Sequence, residues 1–210
     1  MKILTQTELI DELYKIGAIK IEDIILKSGD LSPIYIDLRL VVGHPDLLRS
    51  MSKLMWSMVQ DLEFDLICGV PLTAIPFAVV MSVDNNIPMV MRRSSPKTYG
   101  TKKLIEGKFQ AGQKVLVVED VITSGSSIME TVQSLKSVGL EIEHASIFVD
   151  RGQKGFENLE NNGVKVRSVL KMSDILARLM DNGIIKSEEK ARIQKWLRET
   201  ESKIDIEPCS

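Results

Sequence analysis

Apolar positions change their period along the chain. Near the start, Leu9, Leu13 and Ile16 recur at roughly helical spacing behind Thr5 and Glu8, and Gly17 follows. Thr5 with Glu8 three residues on is a capping-box pattern, so a first helix is predicted from near Thr5 to Gly17. Extended pieces are predicted at 21–27 and 34–38, with the Gly- and Pro-containing stretch 28–33 as a turn between them. A longer helix is predicted over 46–60.

From Asp65 the grammar becomes strand–helix–strand. Short apolar strands are predicted at 65–70, 87–91, 114–118, 145–149 and 164–169. Helices are predicted at 74–83 and at 127–138, the latter with Ile128, Val132 and Leu135 on one face. Residues 92–113 are polar and rich in Lys and Gly, and 173–199 reads as helical with a break at Gly183. Near-continuous apolar strands alternating with helices imply an α/β fold, a parallel sheet covered by helices on both faces. The reading is one domain, with a doubly wound core at about 64–170. The terminal pieces, about 1–40 and 171–200, are expected to form a small hood over the carboxyl ends of the strands, where such folds bind ligands.

Composition narrows the class. A chain of 210 residues can bury a core without disulfide staples. Its net charge of −2 offers no overall basic field for nucleic acid. Cys68 and Cys209 lie far apart and suggest no disulfide framework, so a reducing cytoplasm is expected. No apolar run approaches the ~20 residues of a membrane span, and no signal peptide is read at the start.

The stretch from Val115 to Ser127 carries the most chemistry. An apolar strand runs into two adjacent acids, Glu119 and Asp120. A loop of Thr123, Ser124, Gly125, Ser126 and Ser127 then opens a helix. Backbone N–H groups and hydroxyls at a helix start suit an anion, and Gly125 permits a close approach or a positive φ. Ser127 with Glu130 reads as a second capping box. Two carboxylates at the strand end suit sugar hydroxyls or a hydrated Mg²⁺, so a phosphorylated sugar satisfies both halves. No Walker loop is present. Each piece alone fits an ordinary strand–turn–helix; their conjunction is what points to a site.

This segment resembles the phosphoribosyl pyrophosphate signature of type I phosphoribosyltransferases. Other stretches resemble the orotate phosphoribosyltransferases among them: Leu26 to Gly29, Ser32 to Arg39, Cys68 to Pro76, Lys97 to Lys103, and Asp150-Arg151. The Tyr99-Gly100-Thr101-Lys102-Lys103 version is similar to the transferase half of bifunctional uridine monophosphate synthases. The resemblance runs from about residue 5 to residue 199.

The resemblance implies the following roles. Glu119 and Asp120 hold the ribose hydroxyls, Thr123, Ser124, Gly125, Ser126 and Ser127 cradle the 5′-phosphate, and Val121 and Ile122 belong to the same phosphoribosyl pyrophosphate-binding stretch. Pro71, Leu72 and Thr73 face pyrophosphate, in a loop where the family often has an unusual peptide. Residues 92–109 resemble a mobile catalytic loop in which Arg93, Lys97 and Tyr99 meet phosphoribosyl pyrophosphate, reaching across a homodimer interface. Lys27, Tyr35, Thr123 and Arg151 bound the orotate site. Lys97, Arg93 and Asp120 are the expected catalytic set. Mg²⁺ is the expected cofactor, held mainly through phosphoribosyl pyrophosphate rather than by dedicated protein ligands.

Departures from the family pattern are Ser94 for a second basic residue, Thr73 for a lysine, Tyr99 for a histidine, and Lys154-Gly155 for a Gly-Gly pair. Two other readings stay open at this point. One is a regulator that binds phosphoribosyl pyrophosphate without chemistry, against which the charge and the lid cations argue. The other is a transferase for a different base.

Overall fold

The computed structural model describes residues 4–25, 31–93 and 104–204. Helix α1 (Gln6–Lys15) begins with the predicted capping box. The Glu8 amide donates to the Thr5 hydroxyl (3.3 Å), and the Thr5 amide donates to the Glu8 carboxylate (2.9 Å). Gly17, at φ +76°, turns the chain out of the helix.

Two small antiparallel ladders follow. Strand β1 (Ile19–Lys20) pairs with β4 (Tyr35–Ile36), and β2 (Ile24–Ile25) pairs with β3 (Leu31–Ser32). The piece predicted at 34–38 is shorter than expected, and of that predicted at 21–27 residues 24–25 pair while 26–27 lie outside the described residues. The end of the predicted turn, 28–33, is itself a strand. A 3₁₀ stretch, Leu38–Gly43, leads into α2 (Pro45–Ser57), whose Pro45 sits in the first turn, where its missing N–H costs nothing.

The core is four parallel strands in the order β10–β9–β8–β5: β5 (Leu66–Gly69), β8 (Lys114–Ile122), β9 (Glu141–Asp150) and β10 (Lys165–Lys171). Leu66 to Cys68, Val115 to Val118 and Ile147 to Val149 are all buried, as strands covered by helices must be. Of the helices, α3 (Ile75–Asn85) packs on β5, α4 (Ser126–Lys136) on β8 and β9, α5 (Gly155–Asn161) on β10, and α2 on β9 and β10. Asn86, at φ +55°, ends α3 in the left-handed conformation common at helix ends.

Several predicted boundaries move, each for a physical reason. The strand expected at 87–91 is split. The Ile67 amide donates to the Pro88 carbonyl and the Val90 amide to the Ile67 carbonyl, extending the sheet edge. Strand β6 (Met91–Arg92) then leaves to pair with β7 (Ile105–Glu106). The strand expected at 114–118 runs on through Ile122, so Glu119 and Asp120 lie within it rather than beyond its end. The strand expected at 145–149 starts at Glu141. Helix α5 was not foreseen, being too short for periodicity to reveal.

The chain ends in α6 (Met172–Asp181) and α7 (Ser187–Ile204), separated by Gly183 at φ +68°. These meet the N-terminal segment. Arg178 forks onto Asp11 (2.9 and 2.5 Å), Asn182 donates to the same carboxylate, and Arg192 pairs with Asp23. The Gln6 amide group donates to the Val169 carbonyl (2.7 Å), tying α1 to β10.

Candidate active site

Register brings three loops to one edge of the sheet. Gly69 pairs with Val118, and the Val70 amide donates to the Val118 carbonyl (2.9 Å). Ile122 pairs with Asp150, and the Arg151 amide donates to the Ile122 carbonyl (3.2 Å). The carboxyl ends of β5, β8 and β9 therefore stand side by side. They carry the 70–74 loop, the acid pair with its Thr-Ser-Gly loop, and Asp150-Arg151. Distant stretches of sequence become one rim.

The loop after β8 is an open helix start. Gly125 takes φ +83° at the N-cap of α4, and no side chain caps it. The predicted Ser127–Glu130 capping box does not form. Arg92 instead reaches across from β6, giving Nη2 to the Glu130 carboxylate (3.3 Å) and Nε to the Ser134 hydroxyl (3.1 Å). Helix α4 starts at Ser126 behind Gly125, which places Ser127 and Glu130 inside it, and Glu130 pairs with Arg92 instead. The Ser126 amide, first of α4, donates over a long distance to the Ser124 hydroxyl (3.4 Å), and the positive end of the helix favours an anion here. Glu119, Thr123, Gly125, Ser126 and Ser127 line a small hollow here.

Around this loop the packing is tight. A side chain on Gly155 would run into the Thr123 carbonyl oxygen and would lie 2.5 Å from Ile122 Cγ1. The Asn158 side-chain amide donates to the Ser124 carbonyl (3.0 Å). Ser124 and Ser126 share a hydroxyl–hydroxyl hydrogen bond (3.1 Å). Helix α5 thus braces the loop from behind. Lys154, where the family pattern has glycine, still takes φ +60°, so the turn keeps the conformation glycine would favour.

The acid pair is asymmetric. Glu119 is 6% exposed, whereas Asp120 is partly open to solvent. The Asp120 amide donates to Glu119 Oε1 (3.0 Å). Burial, and then the neighbouring Asp120 carboxyl, push the Glu119 carboxyl well above the usual carboxylate range. An acid held in this way is stabilised by hydroxyl donors or a nearby cation. Hard oxygen donors of this type fit Mg²⁺ carried by a phosphorylated sugar. Among the described residues, no group of three His, Cys, Asp or Glu side chains gathers to hold a metal by itself.

On the pyrophosphate side, the Pro71–Leu72 peptide is cis, in the loop where an unusual peptide was expected. Gly69 is packed so closely that a Cβ would lie 2.8 Å from the Ala74 carbonyl oxygen, which holds the loop against the start of α3. Leu72 is exposed and Pro71 and Thr73 are half-buried.

The two arginines of β6 and its exit face different ways. Arg92 is largely buried against α4, as described above. Arg93 is exposed; its amide donates to the Leu104 carbonyl (2.9 Å) and its guanidinium makes a long contact with Glu106 (3.4 Å). Lys27, Lys97, Tyr99 and Ser94 lie outside the described residues.

Arg151 is the most unusual cation. Its Nε and Nη2 are buried with no hydrogen-bond partner among the described residues. Its guanidinium lies 5.3 Å from the ring centroid of Trp196 on α7. Burial pushes it down to about 10, which still leaves it protonated at neutral pH. The neighbouring Asp150 carboxylate accepts the Gly152 amide (2.8 Å). A cavity of about 250 Å³ opens beside Arg151, bounded also by Lys171, Ser173, Gln194 and Arg198. Tyr35 is half-buried, and its hydroxyl accepts a hydrogen bond from Arg39 (2.9 Å), which also forks onto Asp37. A larger hollow, about 500 Å³, lies between α2 and α3 around Arg49, Lys53 and Trp56, and holds none of the predicted site residues.

Sequence reasoning missed Asn158, Gly155 and Trp196. Only Gly155 carried a signal, as half of the altered Gly-Gly pair.

Comparison with known proteins agrees with this assembly. The phosphoribosyl transferase domain model matches residues 41–167. The chain is 40% identical to an orotate phosphoribosyltransferase of Chlamydia caviae, covering 90% of this chain and 92% of that one. It is 39% identical to a uridine 5′-monophosphate synthase of Bos taurus, covering 91% of this chain but spanning only 40% of the relative's length. The crystal structure of orotate phosphoribosyltransferase from Aeropyrum pernix superposes with a TM-score of 0.74 at 33% identity, over 81% of this chain and 97% of that one.

Proposed function

Because the chain belongs to the phosphoribosyl transferase family, among its orotate phosphoribosyltransferases, we infer that it is a pentosyltransferase of pyrimidine biosynthesis. It transfers the 5-phosphoribosyl group from phosphoribosyl pyrophosphate to orotate, giving orotidine 5′-phosphate and pyrophosphate on the path to UMP. The observation that carries this reading is the rim itself: an open helix start and an acid pair on one strand, and on the next a guanidinium whose Nε and Nη2 are buried without a partner among the described residues.

Each part has a chemical use in that reaction. The amides and hydroxyls of the 123–127 loop take the 5′-phosphate. Glu119 and Asp120 take the ribose hydroxyls. The 71–73 loop, with Arg93 and Lys97, takes pyrophosphate. Arg151, Thr123, Lys27 and Tyr35 bound the base, and a guanidinium with free N–H groups suits the carboxylate that distinguishes orotate from uracil. The bond between the anomeric carbon and pyrophosphate oxygen breaks, and pyrophosphate leaves with its electron pair. The deprotonated base nitrogen of orotate then bonds to that carbon from the opposite face. Charge develops toward an oxocarbenium ion, as in other glycosyl transfers. No protein nucleophile is needed; the work is positioning and charge neutralisation.

Mg²⁺ belongs to this proposal, carried by oxygens of phosphoribosyl pyrophosphate beside Glu119 and Asp120. When bound, it neutralises the leaving pyrophosphate. A homodimer belongs to it too, supported by the exposed apolar residues Leu72, Val79 and Val83 on the loop and α3, and by Met91 on β6. No helix among the described residues is long and apolar enough to cross a membrane. We place the reaction in the cytoplasm, consistent with the free buried thiol of Cys68.

The test is loss of orotate absorbance with purified protein, Mg²⁺ and phosphoribosyl pyrophosphate, run beside hypoxanthine and uracil. Mg²⁺-dependent consumption of orotate alone is the expected result. Consumption of another base, or binding of phosphoribosyl pyrophosphate with no reaction, would overturn the assignment.

A further inference from the structure

Arg151 can serve the base only if its guanidinium is held in one place, and the usual anchor for a buried arginine is missing. A buried guanidinium ordinarily forks onto a carboxylate. Here Asp150 is taken by the Gly152 amide, and Nε and Nη2 have no partner among the described residues. What remains in contact is the face of Trp196, 5.3 Å from the guanidinium carbon. That distance lies within the ~6 Å reach of a cation–π contact. An aromatic face holds the plane of the cation without consuming any of its in-plane N–H donors. A carboxylate at the same place would hold it as well, but would neutralise it and use the donors that a substrate carboxylate needs.

The contact is part of a wider attachment. The turn after β9 is gripped by α7 at a second point, where the Gln153 side-chain amide donates to the Thr200 hydroxyl (2.6 Å). Thr200 stands one helical turn beyond Trp196, and its hydroxyl donates to the Trp196 and Leu197 carbonyls (3.0 Å each). Leu197, next to Trp196, is buried against the core. Helix α7 therefore presents Trp196 from a fixed base rather than from a loose end.

We propose that Trp196 is the positioning residue for substrate recognition, holding the Arg151 guanidinium by its ring face so that the free N–H groups meet the orotate carboxylate. This rests on the reading that Arg151 meets orotate. It adds that the selectivity of the site is set in part by the C-terminal helix, which contributes none of the sequence motifs. Trp196 acts through Arg151 and touches no reacting atom.

The test is steady-state kinetics of the full chain with each substrate varied, for Arg151→Gln, Trp196→Phe, Trp196→Leu and the double variant Arg151→Gln/Trp196→Leu. Trp196→Leu should raise KM for orotate about 5- to 30-fold, the size of a desolvated cation–π contact. KM for phosphoribosyl pyrophosphate should stay within about twofold, since a contact made only to one substrate moves only that constant. Trp196→Phe, which keeps a ring face, should recover most of the loss. The double variant should be no worse than Arg151→Gln alone, because the two residues act as one unit.

Three outcomes count against the idea, and they are separable. If Arg151→Gln raises KM for orotate and Trp196→Leu does not, positioning by Trp196 is wrong while the base reading stands. If Trp196→Leu weakens both substrates equally and lowers the melting temperature, the tryptophan is only structural. If Arg151→Gln leaves KM for orotate unchanged, the base reading of Arg151 fails and the Trp196 proposal falls with it.

Discussion

The alpha carbon of Gly155 lies against the carbonyl oxygen of Thr123, with no space between them for a side chain. The loop after β8 thus owes its shape partly to a residue on the next strand–helix unit. Gly155→Ala must push either the loop or α5 aside. Overpacking of this kind typically costs about 1–3 kcal/mol, which in a chain of this size lowers the melting temperature by roughly 2–4 °C per kcal/mol. KM for phosphoribosyl pyrophosphate should rise at the same time, because the carbonyl that moves belongs to the loop proposed to hold its phosphate. Calorimetry and kinetics on the variant check both. A variant that melts lower but binds phosphoribosyl pyrophosphate normally would show that α5, not the loop, absorbs the strain.

That contact also shows where sequence reading stops. The chain from Val115 to Ser127 was legible because its signals are local: a continuous apolar strand, two acids, and hydroxyl and glycine residues at a helix start. What those residues touch was not legible. Glu130 matched a capping box, yet Arg92 captures it from another strand, and no local pattern can weigh an ion pair formed across the fold. Helix α5 spans 7 residues, too few for a 3.6-residue period to stand out, and so its Asn158 brace went unseen. Trp196 fell within a stretch, 173–199, that reads only as helical, while its contact with Arg151 is purely tertiary. The acid pair was read as lying past the strand. The strand runs on through Ile122 because Val121 and Ile122 keep their ladder with β9.

Lys97 lies outside the described residues, and its proposed role is tested by function alone. Losing one preorganised charge contact to a leaving group typically costs ~2.7–4 kcal/mol in the transition state, or about 10²–10³ in kcat. Lys97→Ala should lose turnover by that factor, with a smaller change in binding of phosphoribosyl pyrophosphate. Unchanged turnover would remove Lys97 from the mechanism.

The proposed dimer makes a sharper prediction than size alone. Val83 is 74% exposed on α3 and belongs, with Leu72, Val79 and Met91, to the exposed apolar residues proposed to meet the second subunit. Val83→Asp should shift the protein from dimer to monomer by sedimentation velocity. If Lys97 also acts across the interface, Lys97→Ala and Asp120→Asn proteins, each nearly inactive, should regain activity on mixing, since some mixed dimers hold one intact site. A monomeric parent protein would refute the dimer. A dimer without regain would place Lys97 in its own subunit's site.

Glu119 predicts a pH dependence whose sign follows from burial. Its carboxyl is held above the ordinary value of 4.5 in the folded chain, by desolvation first and by Asp120 second. Below pH 4.5 the group is protonated whether the chain is folded or not, and it costs nothing. As pH rises past that value, the unfolded chain loses the proton while the folded chain keeps it. The folded state then binds more protons, so stability falls with pH until the folded pKa is passed. Glu119→Gln removes this penalty. Its melting temperature should exceed that of the parent by a margin that widens as pH rises above about 4.5. Binding of the Mg²⁺ complex of phosphoribosyl pyrophosphate favours the ionised carboxylate, so it should release a proton in the parent and not in the variant. Titration calorimetry in buffers of different ionisation enthalpy reads that proton directly. Melting curves that stay parallel with pH, together with equal proton release, would mean that Glu119 is already ionised in the folded chain.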